Sequence, residues 1–281
     1  MSTPHRTRTV TVGGVGSPVL DQGPADADEA VVFVHGNPGA RADWADLLSR
    51  LPSGVRAIAL DMPGFGAADA PADFPYDVDG YGRHLGGVLD ELGVRRVHLV
   101  LHDFGGPWGL SWAARHPGAV RSIVLLNTGS LSGYRWHHWA RIWRTRVLGE
   151  LFMALSFRPL LVRVFRRENP GLSDAHLGRI YDQLAPRTTK RAVLRLYRAT
   201  PPDWMGRDRE ALRAIDPPVL VVWGTDDRYL PTVQADRQVE TFPSVRVEKL
   251  EGRGHWAYLE DPEAVAAHVL PFLAQQVAAT E

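Results

Sequence analysis

The fold depends on the stretch Leu99-Val100-Leu101-His102-Asp103-Phe104-Gly105-Gly106, in which an apolar run meets a charged residue and then two glycines. The apolar run predicts a buried strand, and residues 107–116 after it predict a helix. A sharp turn from strand to helix brings the two elements close together, so it requires small residues such as Gly105 and Gly106. The residue at the tip, Asp103, projects from the turn. It is either a functional acid or the N-cap of the following helix.

Similar apolar or β-branched runs recur along the chain with helical patterns between them. The predicted strands are residues 31–35, 55–60, 98–102, 122–126 and 219–223, with 9–12 and 245–250 as further strands. The predicted helices are 44–51, 81–92, 107–116 and 233–242, and a last one that starts at Asp261-Pro262-Glu263. Strands that alternate with helices predict a mostly parallel sheet covered on both faces.

The alternation stops between residue 129 and about residue 213, where the pattern is helical almost throughout. Trp136, Trp139 and Trp143 have the spacing of one helix face. We therefore predict a core domain of residues 1–129 and 214–281, interrupted by a helical cap of residues 130–213. Between residues 130 and 200 there are 14 Arg and Lys against 4 Asp and Glu, although the net charge of the whole chain is +0.

Composition excludes several classes of protein. Among 281 residues there is no cysteine, which rules out a thiol nucleophile, a disulfide framework and cysteine-ligated zinc. The first ten residues are polar, unlike a signal peptide, and no run approaches the roughly 20 apolar residues of a membrane span. We therefore expect a cytoplasmic protein that has no cofactor or metal, no membrane insertion and no nucleic-acid partner.

Three more polar motifs follow predicted strands. They are His35-Gly36-Asn37-Pro38-Gly39, the loop 224–231 that contains Asp226 and Asp227, and Gly254-His255-Trp256. Each motif alone fits an ordinary turn. In parallel sheets, however, sites form at the carboxyl ends of strands, and an acid, a second acid and a histidine in this order can form a catalytic triad.

Together with Asp61-Met62-Pro63-Gly64-Phe65-Gly66, these motifs resemble the α/β-hydrolase superfamily, and specifically its epoxide hydrolase and haloalkane dehalogenase branch. The resemblance covers nearly the whole chain and implies an α/β-hydrolase fold with a mostly parallel, eight-stranded sheet. It implies the following roles: Asp103 as nucleophile, Asp227 as the acid four residues before Pro231, His255 as base, and the backbone N–H groups of Asn37 and Phe104 as oxyanion donors.

Two residues imitate parts of this pattern. Gly109-Leu110-Ser111-Trp112-Ala113 is similar to a serine elbow, but it lies inside a predicted helix. We therefore expect Ser111 to pack rather than to react. Asp226 is adjacent to Asp227 but has the wrong spacing from the proline.

A carboxylate nucleophile restricts the substrate. Its reference pKa is about 4, so it is ionised at neutral pH and needs no base. Attack on a carboxyl ester would produce a reactive anhydride, whereas attack on a saturated carbon produces an ordinary ester. The predicted substrate is therefore a largely apolar small molecule with a strained C–O or a C–halogen bond. His255 would then activate water to hydrolyse the ester, with Asp227 orienting the imidazole.

The two reactions differ in how the leaving group is stabilised. An opening epoxide needs a proton donor, and Tyr197 lies where epoxide hydrolases carry one of two tyrosines; Tyr134 and Tyr181 are candidates for the second. A halide needs N–H donors. Asn37 matches the halide-binding asparagine of many dehalogenases, but Phe104 replaces their tryptophan unless Trp136, Trp139 or Trp143 substitutes for it. We favour epoxide hydrolysis, with haloalkane dehalogenation as the alternative.

A remote alternative is a ligand-binding protein that has the hydrolase fold and no turnover. The arginine-rich cap surface is either a solvated face or a site for an acidic substrate or partner. Substrate binding that weakens with salt would favour the second interpretation.

Overall fold

The computed structural model describes residues 6–201, 204 and 206–279. Eight strands form one sheet in the order β1-β2-β4-β3-β5-β6-β7-β8. They are β1 (Arg6–Val12), β2 (Val15–Gln22), β3 (Glu29–Val34), β4 (Ala57–Leu60), β5 (Arg96–His102), β6 (Val120–Leu126), β7 (Val219–Gly224) and β8 (Val245–Leu250). β2 is antiparallel to β1 and β4, and the other strand pairs are parallel. The predicted fold class is confirmed.

Helices connect the parallel strands. In the described chain they are α1 (Ala45–Ser49), α2 (Val78–Glu91), α3 (Gly105–Arg115), α4 (His138–Arg144), α5 (Leu148–Leu155), α6 (Arg158–Glu168), α7 (Asp174–Leu184), α8 (Arg187–Ala199), α9 (Arg209–Ile215), α10 (Val233–Asp236), α11 (Ala257–Glu260) and α12 (Pro262–Ala278). Two 3₁₀ segments, Arg41–Trp44 and Arg237–Glu240, adjoin α1 and α10. No helix in the described part of the chain is long and apolar enough to cross a membrane.

The prediction omitted β2, because this strand carries polar residues at buried positions. Asp21 and Gln22 are fully buried. Arg56 donates to both carboxylate oxygens of Asp21, and Gln22 donates to a backbone carbonyl. Such partners offset the cost of burial, and hydropathy patterns do not reveal them.

The register of the parallel strands positions the site. Val34 of β3 pairs with Leu101 of β5, and His102 of β5 pairs with Leu126 of β6. Leu126 pairs in turn with Val222 of β7. The strands therefore end near the same edge, and the loops after β3, β5, β6 and β7 begin there.

Helices α4 to α9 lie between β6 and β7, in the segment predicted as the cap. We keep the name cap for residues 130–213, although α9 continues past this boundary to Ile215. The cap covers the carboxyl edge of the sheet. Tyr197 of α8 lies edge-on against Phe104 with ring centroids 5.0 Å apart, and Gln183 of α7 donates to Asp43 at 2.7 Å.

Candidate active site

Asp103 lies on a tight turn between β5 and α3, with a φ of 48°. This left-handed conformation is uncommon for a residue with a side chain and costs free energy. A Cβ on Gly105 would collide with the carbonyl oxygen of Val34, and a Cβ on Gly36 would collide with the Asp103 side chain. Thr128 donates to the Asp103 carbonyl at 2.6 Å. The paired glycines therefore allow the close approach that the elbow needs, as predicted.

The structure brings the three predicted triad residues together. His255 Nδ1 donates to Asp227 Oδ2 at 2.7 Å. Its other nitrogen, Nε2, lies 3.4 Å from Asp103 Oδ2. The side chains of His255 and Asp227 are 2% and 0% exposed, so both are shielded from bulk water, whereas Asp103 keeps 14%. One imidazole therefore bridges two carboxylates at the base of the site.

Four hydrogen bonds hold Asp227 in place. Besides the His255 bond, the Asn127 amide donates to Oδ2 at 2.8 Å. The backbone N–H groups of Tyr229 and Leu230 donate to Oδ1 at 2.7 and 2.9 Å. Asp226, by contrast, points into solvent, which agrees with its exclusion from the triad.

The charges of Asp103 and His255 stabilise each other. Burial alone raises the pKa of Asp103, but the hydrogen bond and charge of His255 outweigh burial and lower it to about 2. Burial lowers the pKa of His255, but the charges of Asp227 and Asp103 outweigh this effect and raise it to about 10. These shifts favour an ionised Asp103 and a protonated His255 in the resting site.

One of the two predicted oxyanion donors contacts the Asp103 carboxylate. The Asn37 N–H donates to Asp103 Oδ1 at 2.7 Å. Among the described residues, the Phe104 N–H donates no hydrogen bond to that carboxylate. A tetrahedral oxyanion on Oδ1 would already have the Asn37 donor in place. The Phe104 donor remains a prediction for the reacting complex.

On the cap side, Tyr197 and a residue that the sequence analysis missed, His137, border the same cavities as Asp103. The Tyr197 hydroxyl lies 3.4 Å from both Asn37 Nδ2 and His137 Nε2. His137 Nδ1 accepts from the Ala140 N–H at 3.2 Å, and burial lowers the pKa of His137 to about 4. A neutral imidazole whose Nδ1 accepts has its proton on Nε2. Both neighbours therefore donate to the Tyr197 oxygen, and its own O–H is left to donate into the cavity.

Two small cavities flank the Asp103 carboxylate. One of about 30 Å³ is bordered by His255, Trp143 and Trp139, and one of about 10 Å³ by Phe104, Trp136 and Tyr134. His137, Tyr197 and Tyr229 border both. A water molecule needs about 10–15 Å³ of such volume, so the closed site accommodates water rather than substrate. The cap or its side chains must move to admit a substrate.

The other aromatic candidates have different partners. Trp139 Nε1 donates to Glu168, whereas the Nε1 atoms of Trp136 and Trp143 are buried with no hydrogen-bond partner in the described structure. Tyr134 donates to the Tyr229 carbonyl at 2.9 Å. Tyr181 lies beneath Arg158 and borders neither cavity. Of the two predicted candidates for a second tyrosine, Tyr134 and Tyr181, Tyr134 borders a cavity beside Asp103, and its hydroxyl proton is already engaged.

Asn127 and Tyr229 were also missed, and one of them could have been found. Asn127 directly follows β6, at the same sheet edge as the four recognised motifs. His137 and Tyr229 gave no signal, because they reach the site only through cap folding and loop conformation. Ser111 is buried in α3 and donates to Asp79 at 3.1 Å, which confirms its packing role.

The chain belongs to the alpha/beta hydrolase family, which matches residues 31–268. It is 30% identical over 262 residues to a 2-hydroxy-6-oxononadienedioate/2-hydroxy-6-oxononatrienedioate hydrolase of Burkholderia vietnamiensis, covering 88% of this chain and 87% of that protein.

Two solved structures share the fold. The haloalkane dehalogenase DatA of Agrobacterium tumefaciens C58 has a TM-score of 0.83 at 24% identity, covering 97% of both chains. Epoxide Hydrolase A of Mycobacterium thermoresistibile has a TM-score of 0.80 at 21% identity, covering 96% of this chain and 98% of that one. The protein is thus a hydrolase whose fold occurs with several reactions.

Proposed function

We propose that this protein is an epoxide hydrolase that acts through a covalent ester on Asp103. The observation that carries the proposal is the Tyr197 hydroxyl. It accepts from Asn37 and His137, and it keeps its own proton for a group in the Asp103 cavity. An opening epoxide is such a group, because it becomes an alkoxide that must acquire a proton.

In the first step, Asp103 Oδ2 attacks one epoxide carbon, and the C–O bond to the ring oxygen breaks. The ring oxygen takes the Tyr197 proton, and the Asn37 amide and His137 N–H stabilise the resulting phenolate. Burial and the Asp103 charge hold the pKa of Tyr197 well above its usual value. Ester formation removes the negative charge of Asp103. The free-energy cost of ionising Tyr197 therefore falls as the ester forms.

The same loss of charge activates His255. With Asp103 esterified, the imidazolium retains only Asp227 as a partner and gives its proton to the phenolate. Neutral His255 then takes a proton from water, and the hydroxide adds to the ester carbonyl. The oxyanion on Oδ1 is stabilised by the Asn37 N–H. Collapse releases the diol and restores ionised Asp103 and protonated His255, so one epoxide and one water give one diol.

Haloalkane dehalogenation is the second candidate, and a specific observation favours it. The indole N–H groups of Trp136 and Trp143 are buried without partners beside the cavities. A halide ion in one of the two cavities would be a partner for the indole that borders it. Against this reading, Asn37 already donates its side-chain amide to Tyr197, and the Phe104 ring has no N–H to offer.

The reaction named for the Burkholderia vietnamiensis relative fits this site less well. Its name gives a dienedioate and a trienedioate as substrates, each with two carboxylates, yet no Arg or Lys borders either described cavity. Hydrolysis next to a ketone also requires attack on a carbonyl carbon. An ionised carboxylate would form a mixed anhydride there.

The proposal is tested by mass spectrometry of the intact His255→Gln variant. This variant can form the ester but lacks the base that hydrolyses it. After incubation with an aromatic epoxide, we expect a mass increase equal to the whole epoxide, located on the peptide that contains Asp103. The Asp103→Asn/His255→Gln double variant is the matched control and should acquire no mass.

A 1-bromoalkane of similar size separates the two candidates. An adduct equal to the alkyl group without bromine, together with no epoxide adduct, would assign the protein as a dehalogenase. If neither compound adds and the Asp103→Asn variant still hydrolyses an ester or a dienoate, the carboxylate mechanism is wrong.

A further inference from the structure

The outer face of the cap has apolar side chains in solvent. Leu148, Leu151 and Leu155 follow one another on a single face of α5 and are 47%, 53% and 58% exposed. Phe157 and Leu160 at the start of α6 are 57% and 46% exposed. Soluble proteins rarely expose neighbouring large apolar side chains without a binding role. These five residues are called the apolar strip below.

The inner face of α5 is already used for packing. Phe152 contacts Trp139 and Trp143, with ring centroids 5.2 and 6.3 Å apart, and Met153 is buried. The three leucines of the apolar strip therefore form a second apolar face of α5, whose first face packs against tryptophans that border the cavities. Nothing in the described chain covers this second face.

Positive charge surrounds the apolar strip. Arg163 and Arg167 lie on the same face of α6 as Leu160, and Arg146 directly precedes α5. All three are exposed, and none forms an ion pair with a described residue. The arginine excess of the cap is thus partly concentrated beside the apolar strip instead of being neutralised by carboxylates.

A groove on the other side of α5 adds a second cationic feature. It measures about 420 Å³ and is lined by Arg187, Lys190 and Arg191 of α8 together with apolar atoms of α5. Its one acidic lining residue, Glu150, is held by two hydrogen bonds from Arg198, at 2.7 and 2.9 Å. The groove thus offers cationic and apolar groups side by side.

We propose that the outer face of the cap docks on an anionic lipid surface. The apolar strip would enter the boundary between headgroups and acyl chains, and the arginines would contact lipid phosphates. A second copy of this chain fits less well, because a two-fold interface centred on the strip would bring the same arginines together. Docking of this kind needs no spanning helix, and it does not depend on which bond Asp103 attacks.

The test is sedimentation of the full-length protein with vesicles of phosphatidylcholine alone or of phosphatidylcholine mixed with phosphatidylglycerol. We expect binding only to the mixed vesicles, with a partition coefficient that falls as salt is added. Leu151→Glu/Leu155→Glu should lower that coefficient at least about tenfold, since it removes two buried leucines from the interface. Arg163→Gln/Arg167→Gln, on the face of α6 that carries Leu160, should lower it by roughly tenfold.

The matched control is Val233→Glu/Val239→Glu, which adds the same charge at two valines that are each 55% exposed elsewhere. It should bind like the wild type apart from a small effect of net charge. Equal binding to both vesicle types, or equal losses in the two Glu pairs, would overturn the proposal. The proposal would also be overturned if the protein did not bind vesicles but formed dimers in light scattering, and if Leu151→Glu/Leu155→Glu dissociated those dimers. This result would assign the apolar strip to self-association.

Discussion

The core side and the cap side of the site differ in how completely their polar groups are hydrogen-bonded. On the core side, Asp227 accepts four hydrogen bonds of 2.7–2.9 Å and orients His255 next to Asp103. On the cap side, the Tyr197 hydroxyl has two neighbours at 3.4 Å, and the indole N–H groups of Trp136 and Trp143 have no hydrogen-bond partner among the described residues.

This difference has a physical explanation. In the proposed reaction, the core groups act on Asp103 and water in every turnover, so their geometry can be complete before substrate binds. The cap groups would act on the leaving atom of the substrate. Their unused hydrogen-bonding capacity is therefore available for that atom. The comparison predicts that core-side variants impair every substrate, whereas cap-side variants discriminate between leaving groups.

The largest expected effect comes from Asp103→Asn. Removing the nucleophile should lower kcat by about 10⁴-fold or more for epoxides and bromoalkanes alike, as for other members of catalytic triads. Steady-state kinetics with both substrates measure it. Asp226→Asn is the control, because this neighbouring acid is exposed, and it should keep wild-type kcat. Comparable losses in the two variants would show that Asp103 has no special role.

Tyr197→Phe should produce the next largest effect, and a selective one. It removes the proton donor while retaining the ring, so kcat/KM for an epoxide should fall by about 10²–10⁴-fold. The value for a bromoalkane should change by less than about threefold, since a halide needs no proton. Tyr181→Phe, outside the cavities, is the control. An equal loss of kcat/KM for both substrates would contradict the role of Tyr197 as a proton donor to the epoxide oxygen.

Asn127→Gly tests the support of the triad acid. It removes one donor from Asp227 while permitting the positive φ of 45° at this position. We expect kcat to fall about tenfold for both substrates and the free energy of unfolding to fall by about 1.5–3 kcal/mol. Urea denaturation and kinetics measure these changes. Asn127→Ala should lower kcat by the same factor as Asn127→Gly. A much larger fall in kcat for Asn127→Ala would mean that backbone strain, and not the lost amide, causes the effect.

The last prediction concerns the dependence of stability on pH and involves no change in turnover. The folded-state pKa of His255 is raised from 6.5 to about 10, so protonation of His255 favours folding. This contribution is fully present below the unfolded pKa and is lost as pH rises through the folded value. The difference in unfolding free energy between wild type and His255→Gln should therefore shrink between pH 6.5 and about 10. A difference that stays constant over this range would mean that His255 is buried neutral, because neither the folded nor the unfolded state would then release a proton there.

The fold and the grouping of the three predicted triad residues were accessible from sequence for a common reason. Each lies at or just after a strand end, and a parallel sheet brings strand ends to one edge whatever the loop conformations are. Asn127 obeys the same rule and could have been found with them. β2 could not, because the partners that stabilise its buried Asp21 come from elsewhere in the chain.

By itself, the sequence determined that an ionised carboxylate stands on a strand-to-helix turn with a histidine and a second acid behind it, because local patterns encode turns and strand ends. Only the tertiary structure decided what faces that carboxylate. The pairing of His137 with Tyr197 joins residues 60 positions apart on different cap segments. Helix packing sets that distance, and the free proton of Tyr197 follows from a bond that His137 makes to the start of its own helix.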